Sequence, residues 1–217
     1  MSKIKIENSK ALNAARDFDA ALDALGHGEV IVFPTETLYG LGADALDSEA
    51  VEKVFQLKGR DPNQPIPLII SGAGMLQSLI TDIPPLARTM MDRFWPGPLT
   101  LVLPARRDIP KPLVNSSGGV GVRISSQPIA TKLVQALGRP LTATSANPSG
   151  KEPARTIEAA KSYFAGKVKV FLDGGTLTSK TGSTVVEVNG ESIRIIREGE
   201  IDASQLRLAL EEDKFCR

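Results

Sequence analysis

Val30-Ile31-Val32-Phe33-Pro34, then Ser48 through Lys58-Gly59, then Leu68-Ile69-Ile70 decide the fold of this chain. The first stretch is β-branched and aromatic, and it ends where proline removes a ladder donor. In the second, Val51, Val54 and Phe55 share one face at helical spacing, with Ser48 as the expected cap and Gly59 as the stop. The third is another short apolar strand. Strand, helix, strand is the unit of a layered α/β protein.

The same alternation extends in both directions. Toward the N-terminus, Asn8 or Ser9 is expected to cap a helix that turns Leu12, Ala15, Leu22 and Leu25 inward and ends at Gly26 and Gly28. Toward the C-terminus, helices are expected over 75–80 and 85–94, then the rigid connector Trp95-Pro96-Gly97-Pro98 and a strand over 99–103. A stretch rich in proline, glycine and serine (104–119) leads to a strand over 120–124 and a helix over 128–137, which Gly138 stops. A brief strand over 141–144 runs into Ser145-Ala146-Asn147-Pro148-Ser149-Gly150. A helix over 156–164, strands over 168–172, 184–188 and 193–196, and a helix over 203–211 complete the pattern. Asn189-Gly190 suits a type I′ hairpin turn, so the sheet is expected to be mixed. With no internal repeat and no long linker, residues 1–217 are expected to form one α/β domain, its core over about 8–200 and a C-terminal helix and tail over 201–217.

Composition excludes several classes of function. Of 217 residues, 41% are hydrophobic and 24% charged, which is ordinary for a globular protein. Lysine and arginine (26) almost balance aspartate and glutamate (25), so bulk charge does not mark a nucleic-acid binder. Aromatics at 5% argue against a base-stacking platform. One cysteine (Cys216) cannot build a disulfide framework or a cysteine zinc site, and one histidine (His27), in an expected solvated turn, makes a histidine triad improbable. The N-terminus has no apolar targeting segment, and no apolar run approaches the roughly 20 residues of a membrane span. The reading is a soluble, cytoplasmic protein without a membrane partner.

Four clusters could carry chemistry. Pro34-Thr35-Glu36-Thr37-Leu38-Tyr39-Gly40-Leu41-Gly42 follows a strand directly, where α/β folds place ligands, although a turn of small residues explains it equally well. Lys58-Gly59-Arg60 sets a point charge and a planar fork of donors at a helix exit, suited either to phosphate or to the helix dipole. Residues 142–150 bring Thr142, Thr144, Ser145, Asn147 and Ser149 together after a strand, giving many donors with little bulk; the same composition also makes plain turns. Arg123 lies inside an apolar strand and needs a partner, either a structural carboxylate or an anionic ligand. Ser183 and Arg197 stand at the two ends of the last hairpin. No P-loop is present, and Gly118-Gly119-Val120-Gly121 fits a dinucleotide fingerprint poorly.

In order and context these clusters resemble the YrdC/Sua5/YciO family, and within it the threonylcarbamoyl-adenylate synthases. The resemblance runs from Val30 to about Gly199. It rests on Pro34-Thr35-Glu36-Thr37 with Tyr39-Gly40-Leu41-Gly42, Lys58-Gly59-Arg60, Trp95-Pro96-Gly97-Pro98-Leu99-Thr100, Val122-Arg123, Thr144-Ser145-Ala146-Asn147 with Ser149-Gly150, and Ser183-Thr184-Val185-Val186. It implies a YrdC/RibB-like twisted mixed sheet flanked by helices, with a concave, positively lined ligand cavity. It also implies a nucleotidyltransferase that joins L-threonine, bicarbonate and ATP, supplied as its Mg2+ complex, into threonylcarbamoyl-AMP and pyrophosphate for the threonylcarbamoyladenosine modification of tRNA. By motif, Lys58 and Arg60 are the implied catalytic residues and hold ATP together with Ser145, Asn147, Ser183 and Arg197; Thr35, Arg123 and Ala143 hold threonine; no residue is assigned to a metal. Further implied partners are tRNA or double-stranded RNA and a downstream threonylcarbamoyl-transferase complex. Three features depart from the synthase pattern: a longer connection over 61–67, Ser71 where several synthases carry histidine, and Glu198 where proline is usual, as in the YciO branch. The alternatives are a YciO-like nucleotide-binding paralogue with different or weak activity, and an RNA-binding or ribosome-associated module.

Overall fold

A computed structural model describes residues 2–215, with side chains over 13–211. Two mixed sheets, rather than one, form the framework. The smaller holds β1 (Ile31–Pro34), β2 (Tyr39–Gly42), β7 (Thr144–Ser145) and β8 (Val170–Phe171) in the order β7-β2-β1-β8. The larger runs β10-β9-β4-β5-β3-β6, built from β3 (Leu68–Ile69), β4 (Leu99–Pro104), β5 (Gly119–Arg123), β6 (Leu141–Thr142), β9 (Thr184–Asn189) and β10 (Ser192–Arg197). The pairs β1–β8, β3–β5 and β4–β9 are parallel and the others antiparallel, which gives the expected mixed character.

Helices α1 (Ser2–Gly26) and α5 (Pro128–Leu137) bury Ala21, Leu25, Ala130, Leu133 and Val134 against Ile31 and Phe33, on one face of β1. The alternate residues Val30 and Val32 belong to the larger core, which takes Val51, Val54 and Phe55 from α2 (Ser48–Lys58), Leu76 and Leu79 from α3 (Ala73–Leu79), Ala87 and Met90 from α4 (Pro85–Phe94), and Phe164 from α6 (Ile157–Phe164). The two-residue period of the first strand therefore feeds two cores. Helix α7 (Ala203–Phe215) buries Leu206 on the same larger core.

Several boundaries differ from the sequence reading. Helix α1 starts at Ser2 rather than at Asn8 or Ser9, because no glycine or proline interrupts residues 1–25; Leu12 lies outside the described side chains and Cys216 outside the described residues. Asp47, not Ser48, caps α2, its carboxylate accepting from Glu49 N at 2.9 Å and Ala50 N at 3.2 Å. The last hairpin turns on Gly190-Glu191, with Ser192 opposite Asn189; only Gly190 has positive φ, whereas type I′ requires it at both central positions. His27 is exposed in a turn, as expected.

Two corrections build the site. Residues 35–38 are not a terminal turn but the link of a β1–β2 hairpin, with Phe33 opposite Gly40. A side chain at Gly42 would come within 2.7 Å of the Phe33 ring, so glycine lets this strand lie flat on the core. The single strand expected over 141–144 is two: β6 pairs with β3, whereas β7 crosses to β2 of the other sheet. Ala143 sits at this crossing, its N–H bonded to Pro67 O at 2.8 Å.

Candidate active site

The crossing opens a cavity of about 180 Å³ between the sheets. Its walls come from the β1–β2 link (Thr35, Thr37, Leu38), from Tyr39 and Gly40 on β2, from Ala143, Thr144 and Ser145 around the crossing, and from Ser183 ahead of β9. Three guanidiniums line it: Arg60 just beyond α2, Arg123 at the end of β5 and Arg197 at the end of β10. Among the described residues, no carboxylate lines it. The cavity meets a larger groove of about 500 Å³ at Arg60, Pro67 and Arg197; the groove runs over Thr100, Val102, Gly121 and Val185 on the face of the larger sheet.

Each cation is held differently. Gly59, at φ +57°, ends α2 in the left-handed conformation and turns the chain so that Arg60 leaves the helix toward the cavity. Arg60 Nε donates to Gln64 O at 2.7 Å and Nη2 to Pro65 O at 3.3 Å, so the long 61–67 connection wraps its own arginine. Burial depresses the Arg60 pKa, with nearby Asp61 acting against it. Arg197 Nη2 donates to Ser183 O at 2.8 Å; desolvation at the wall depresses its pKa first, and the positive charges of Arg123 and Arg60 add to this. Arg123, 4% exposed, lies 3.1 Å from Glu36 Oε1 through Nε and 3.4 Å from the Ser183 hydroxyl through Nη1. The choice left open by sequence, carboxylate partner or ligand, resolves into a carboxylate behind and a cavity in front. Mutual repulsion among the three clustered cations is relieved when an anion enters between them.

Lys58 is elsewhere. Its amine points into the protein, donating to Ser145 O at 2.5 Å and Asn147 O at 2.8 Å, with Asn147 Oδ1 at 3.4 Å. Burial pushes its pKa down to about 7, and the Arg60 charge adds to the effect. Asn147 is also internal: its amide donates to Lys151 O at 2.7 Å and Pro148 O at 3.0 Å. Together Lys58 and Asn147 shape the loop that presents Ser145, while Ser145 itself lines the cavity. The Thr35 hydroxyl is committed to its own turn, donating to Leu38 O at 2.7 Å and accepting from the N–H groups of Thr37 and Leu38 at 3.2 Å. Of the nine residues singled out from sequence, Thr35, Arg60, Arg123, Ala143, Ser145, Ser183 and Arg197 line the cavity, whereas Lys58 and Asn147 stand behind it.

Sequence reasoning gave no role to three residues. Tyr39 lines the cavity and fixes the segment after β8, accepting from Gly174 N at 2.9 Å and donating to Gly175 O at 2.8 Å; burial, foremost, pushes its pKa up to about 12. Thr100 bonds Ser183 through their hydroxyls at 2.9 Å. Glu36 stands behind Arg123 and accepts from the Ser125 hydroxyl. Arg123 was legible as a charge in an apolar strand, but only the fold brings Glu36, from Thr35-Glu36-Thr37, beside it. Among the described residues there is no cluster of three or more histidine, cysteine or acidic side chains that could hold a metal, and no helix long and apolar enough to cross a membrane.

Two mixed sheets enclosing a hydroxyl-lined, triply cationic cleft define an α/β protein with a site suited to small anions. Comparison with known proteins makes the assignment specific. The chain belongs to the Sua5/YciO/YrdC family, whose model, described as telomere recombination, matches residues 23–199. It is 37% identical over 185 residues to the threonylcarbamoyl-AMP synthase of Pyrococcus abyssi, an alignment covering 85% of this chain and 54% of that protein. It is 38% identical over 164 residues to the threonylcarbamoyl-AMP synthase of Thiobacillus denitrificans, covering 76% of this chain and 87% of that one. The crystal structure of P. abyssi Sua5 complexed with L-threonine matches with a TM-score of 0.86 at 35% identity, over 90% of this chain and 57% of the other. The chain thus spans about half the length of the Pyrococcus protein and most of the Thiobacillus one.

Proposed function

We propose that this chain is an L-threonylcarbamoyladenylate synthase, a nucleotidyltransferase acting as a single domain over residues 1–217. The observation that carries the reading is the convergence of Arg60, Arg123 and Arg197 on one cleft without a lining carboxylate, in a chain related to synthases of that name. The amine of threonine and bicarbonate form a carbamate with loss of water. A carbamate oxygen then attacks the α-phosphorus of ATP, the bond to the β-phosphate oxygen breaks, and pyrophosphate leaves. Negative charge grows on the phosphates as that bond lengthens, so preorganised cations lower the barrier and no covalent protein nucleophile is needed.

The roles follow from position. The smaller cavity, with Arg123 at its end and Thr35, Ala143 and Ser183 on its walls, suits an amino acid; the groove beyond Arg60 and Arg197 suits a nucleotide, whose phosphates would lie at the junction of the two. Ser145 lines the smaller cavity and would meet the nucleotide where its phosphates enter it. Lys58 and Asn147 act by fixing the Ser145 loop rather than by touching phosphate. With no carboxylate on the wall, Mg2+ would enter on the ATP phosphates and keep its water ligands. The product would pass, in the cytoplasm, to a threonylcarbamoyl-transferase complex that modifies tRNA. The test is pyrophosphate release by purified protein supplied with MgATP, L-threonine and bicarbonate. Release should require all three; release that ignores threonine, or fails to occur, rejects the proposal.

A further inference from the structure

Among the described residues, Glu36 is the buried carboxylate paired with Arg123, and it does not reach the cavity; the exposed Asp61 acts on Arg60. Its side chain is 11% exposed and that of Arg123 4%. The residue comes from the β1–β2 link, whose shape the Thr35 hydroxyl locks through three hydrogen bonds. Its far oxygen, Oε2, accepts from the Ser125 hydroxyl, and Ser125 is itself pinned, 2% exposed, with Oγ accepting from Gln127 N at 3.2 Å at the start of α5. The carboxylate is therefore held from both ends. Its near oxygen, Oε1, approaches Arg123 Nε at 3.1 Å, although neither atom makes a directional hydrogen bond. This is charge pairing along the edge of the guanidinium, on the side away from the cavity.

A guanidinium engaged through Nε keeps its Nη1 and Nη2 fork free for a second planar anion. Arg123 uses Nη1 only for a long contact of 3.4 Å to the Ser183 hydroxyl. A buried arginine without a carboxylate behind it would need the ligand to supply its whole counter-charge, and its side chain would turn toward whatever acceptor the protein offered. Arg60 and Arg197 donate to backbone carbonyls instead, with only the exposed Asp61 acting on Arg60, so both remain available to phosphate.

We propose that Glu36 is a positioning residue that holds the Arg123 fork square to the carboxylate of the amino-acid substrate, and so sets specificity for a free α-carboxylate. This rests on the synthase reading given above. Glu36 separates the two anion-binding duties of the cleft: Arg123, half-neutralised and fixed, recognises a carboxylate, while Arg60 and Arg197 attract phosphate.

The test compares the wild type with Glu36→Gln, which keeps shape and removes charge. In pyrophosphate-release assays the variant should raise the KM for L-threonine at least about tenfold and leave the KM for ATP within about threefold. Inhibition by L-threoninol, which lacks the carboxylate, should be unchanged, whereas a general loss of structure would weaken threonine, threoninol and ATP together. Equal threonine KM in the two proteins, or parallel losses for all three ligands, overturns the positioning role and leaves the synthase reading intact. A wild type without threonine-dependent release rejects the synthase reading instead. The pairing is then read without turnover, from the Arg123 Nε–H resonance in 15N NMR. That resonance should shift between the wild type and Glu36→Gln, because the substitution removes a charge 3.1 Å from Nε, and an unchanged resonance overturns the inference.

Discussion

Replacing Lys58 with methionine separates holding the loop from carrying a charge. The amine is 3% exposed, 2.5 Å from Ser145 O and 2.8 Å from Asn147 O. Losing these two charge-assisted bonds costs about 1.5–3 kcal/mol each. Against this stands the relief of a buried charge, visible as a pKa pushed from 10.5 to about 7 and on the order of 5 kcal/mol for the ammonium form. The terms are of similar size, so stability at neutral pH should move by less than about 2 kcal/mol. The backbone bond from Ser149 N to Lys58 O, at 2.8 Å, still anchors the far side of the loop. Activity has no such compensation, and a loop displaced by about 1 Å should lower kcat/KM on the order of a hundredfold. The pH dependence has a definite sign. Between about 7 and 10.5 the unfolded chain keeps a proton on Lys58 that the folded chain has shed, so wild-type stability rises with pH in that window. From pH 7 to 8.5 the wild type should gain about 1.5 kcal/mol relative to Lys58→Met. Urea denaturation at the two pH values and steady-state kinetics measure both effects. Parallel stability in the two proteins, or a kcat/KM within threefold of wild type, would refute the reasoning.

Three further perturbations test other parts of the account. Arg197→Ala removes a cation that reaches the cleft from an exposed position on β10, so kcat/KM for ATP should fall on the order of a hundredfold, with urea stability changed by less than about 1 kcal/mol. Gly42→Ala puts a methyl 2.7 Å from Phe33 Cε1 and 3.2 Å from Leu141 Cδ2, both in the packed core, and should cost about 1–3 kcal/mol in urea denaturation. Glu187 is 3% exposed, and the Ser117 hydroxyl first, with Arg194 and Asn115, holds its carboxyl down at about 2 from an ordinary 4.5. Its contribution, on the order of 3 kcal/mol, is present above about pH 4.5 and lost as pH falls toward 2. Glu187→Gln should therefore be less stable than wild type at pH 7 and approach it in acid, which paired urea titrations would detect.

The helices were legible because their signals are local: Val51, Val54 and Phe55 share a face, and Gly59 and Gly138 stop α2 and α5 in the left-handed conformation. The division into two sheets was not. Whether Leu141–Thr142 and Thr144–Ser145 are one strand or two depends on partners about a hundred residues and seventy residues away, which no window of sequence contains. The hairpin strand Tyr39–Gly42 was hidden for another reason, since two of its four residues are glycines tolerated only because Phe33 lies beneath. At the site, residue types identified the candidates but not their directions. Lys58 and Arg60 are two positions apart and face different surroundings, the lysine inward to carbonyls and the arginine toward the cleft. Glu36 stayed unassigned because its partners, Arg123 and Ser125, lie almost ninety residues along the chain.

The central claim is that the cleft joins a threonine carbamate to AMP. Purified protein incubated with MgATP, L-threonine and 13C-bicarbonate, then analysed by mass spectrometry within seconds, tests it most directly. The account predicts a threonylcarbamoyl-adenylate that carries the 13C label, formed in step with pyrophosphate and absent when threonine is omitted. ATP consumed to ADP and phosphate, or an adenylate without the label, would contradict it.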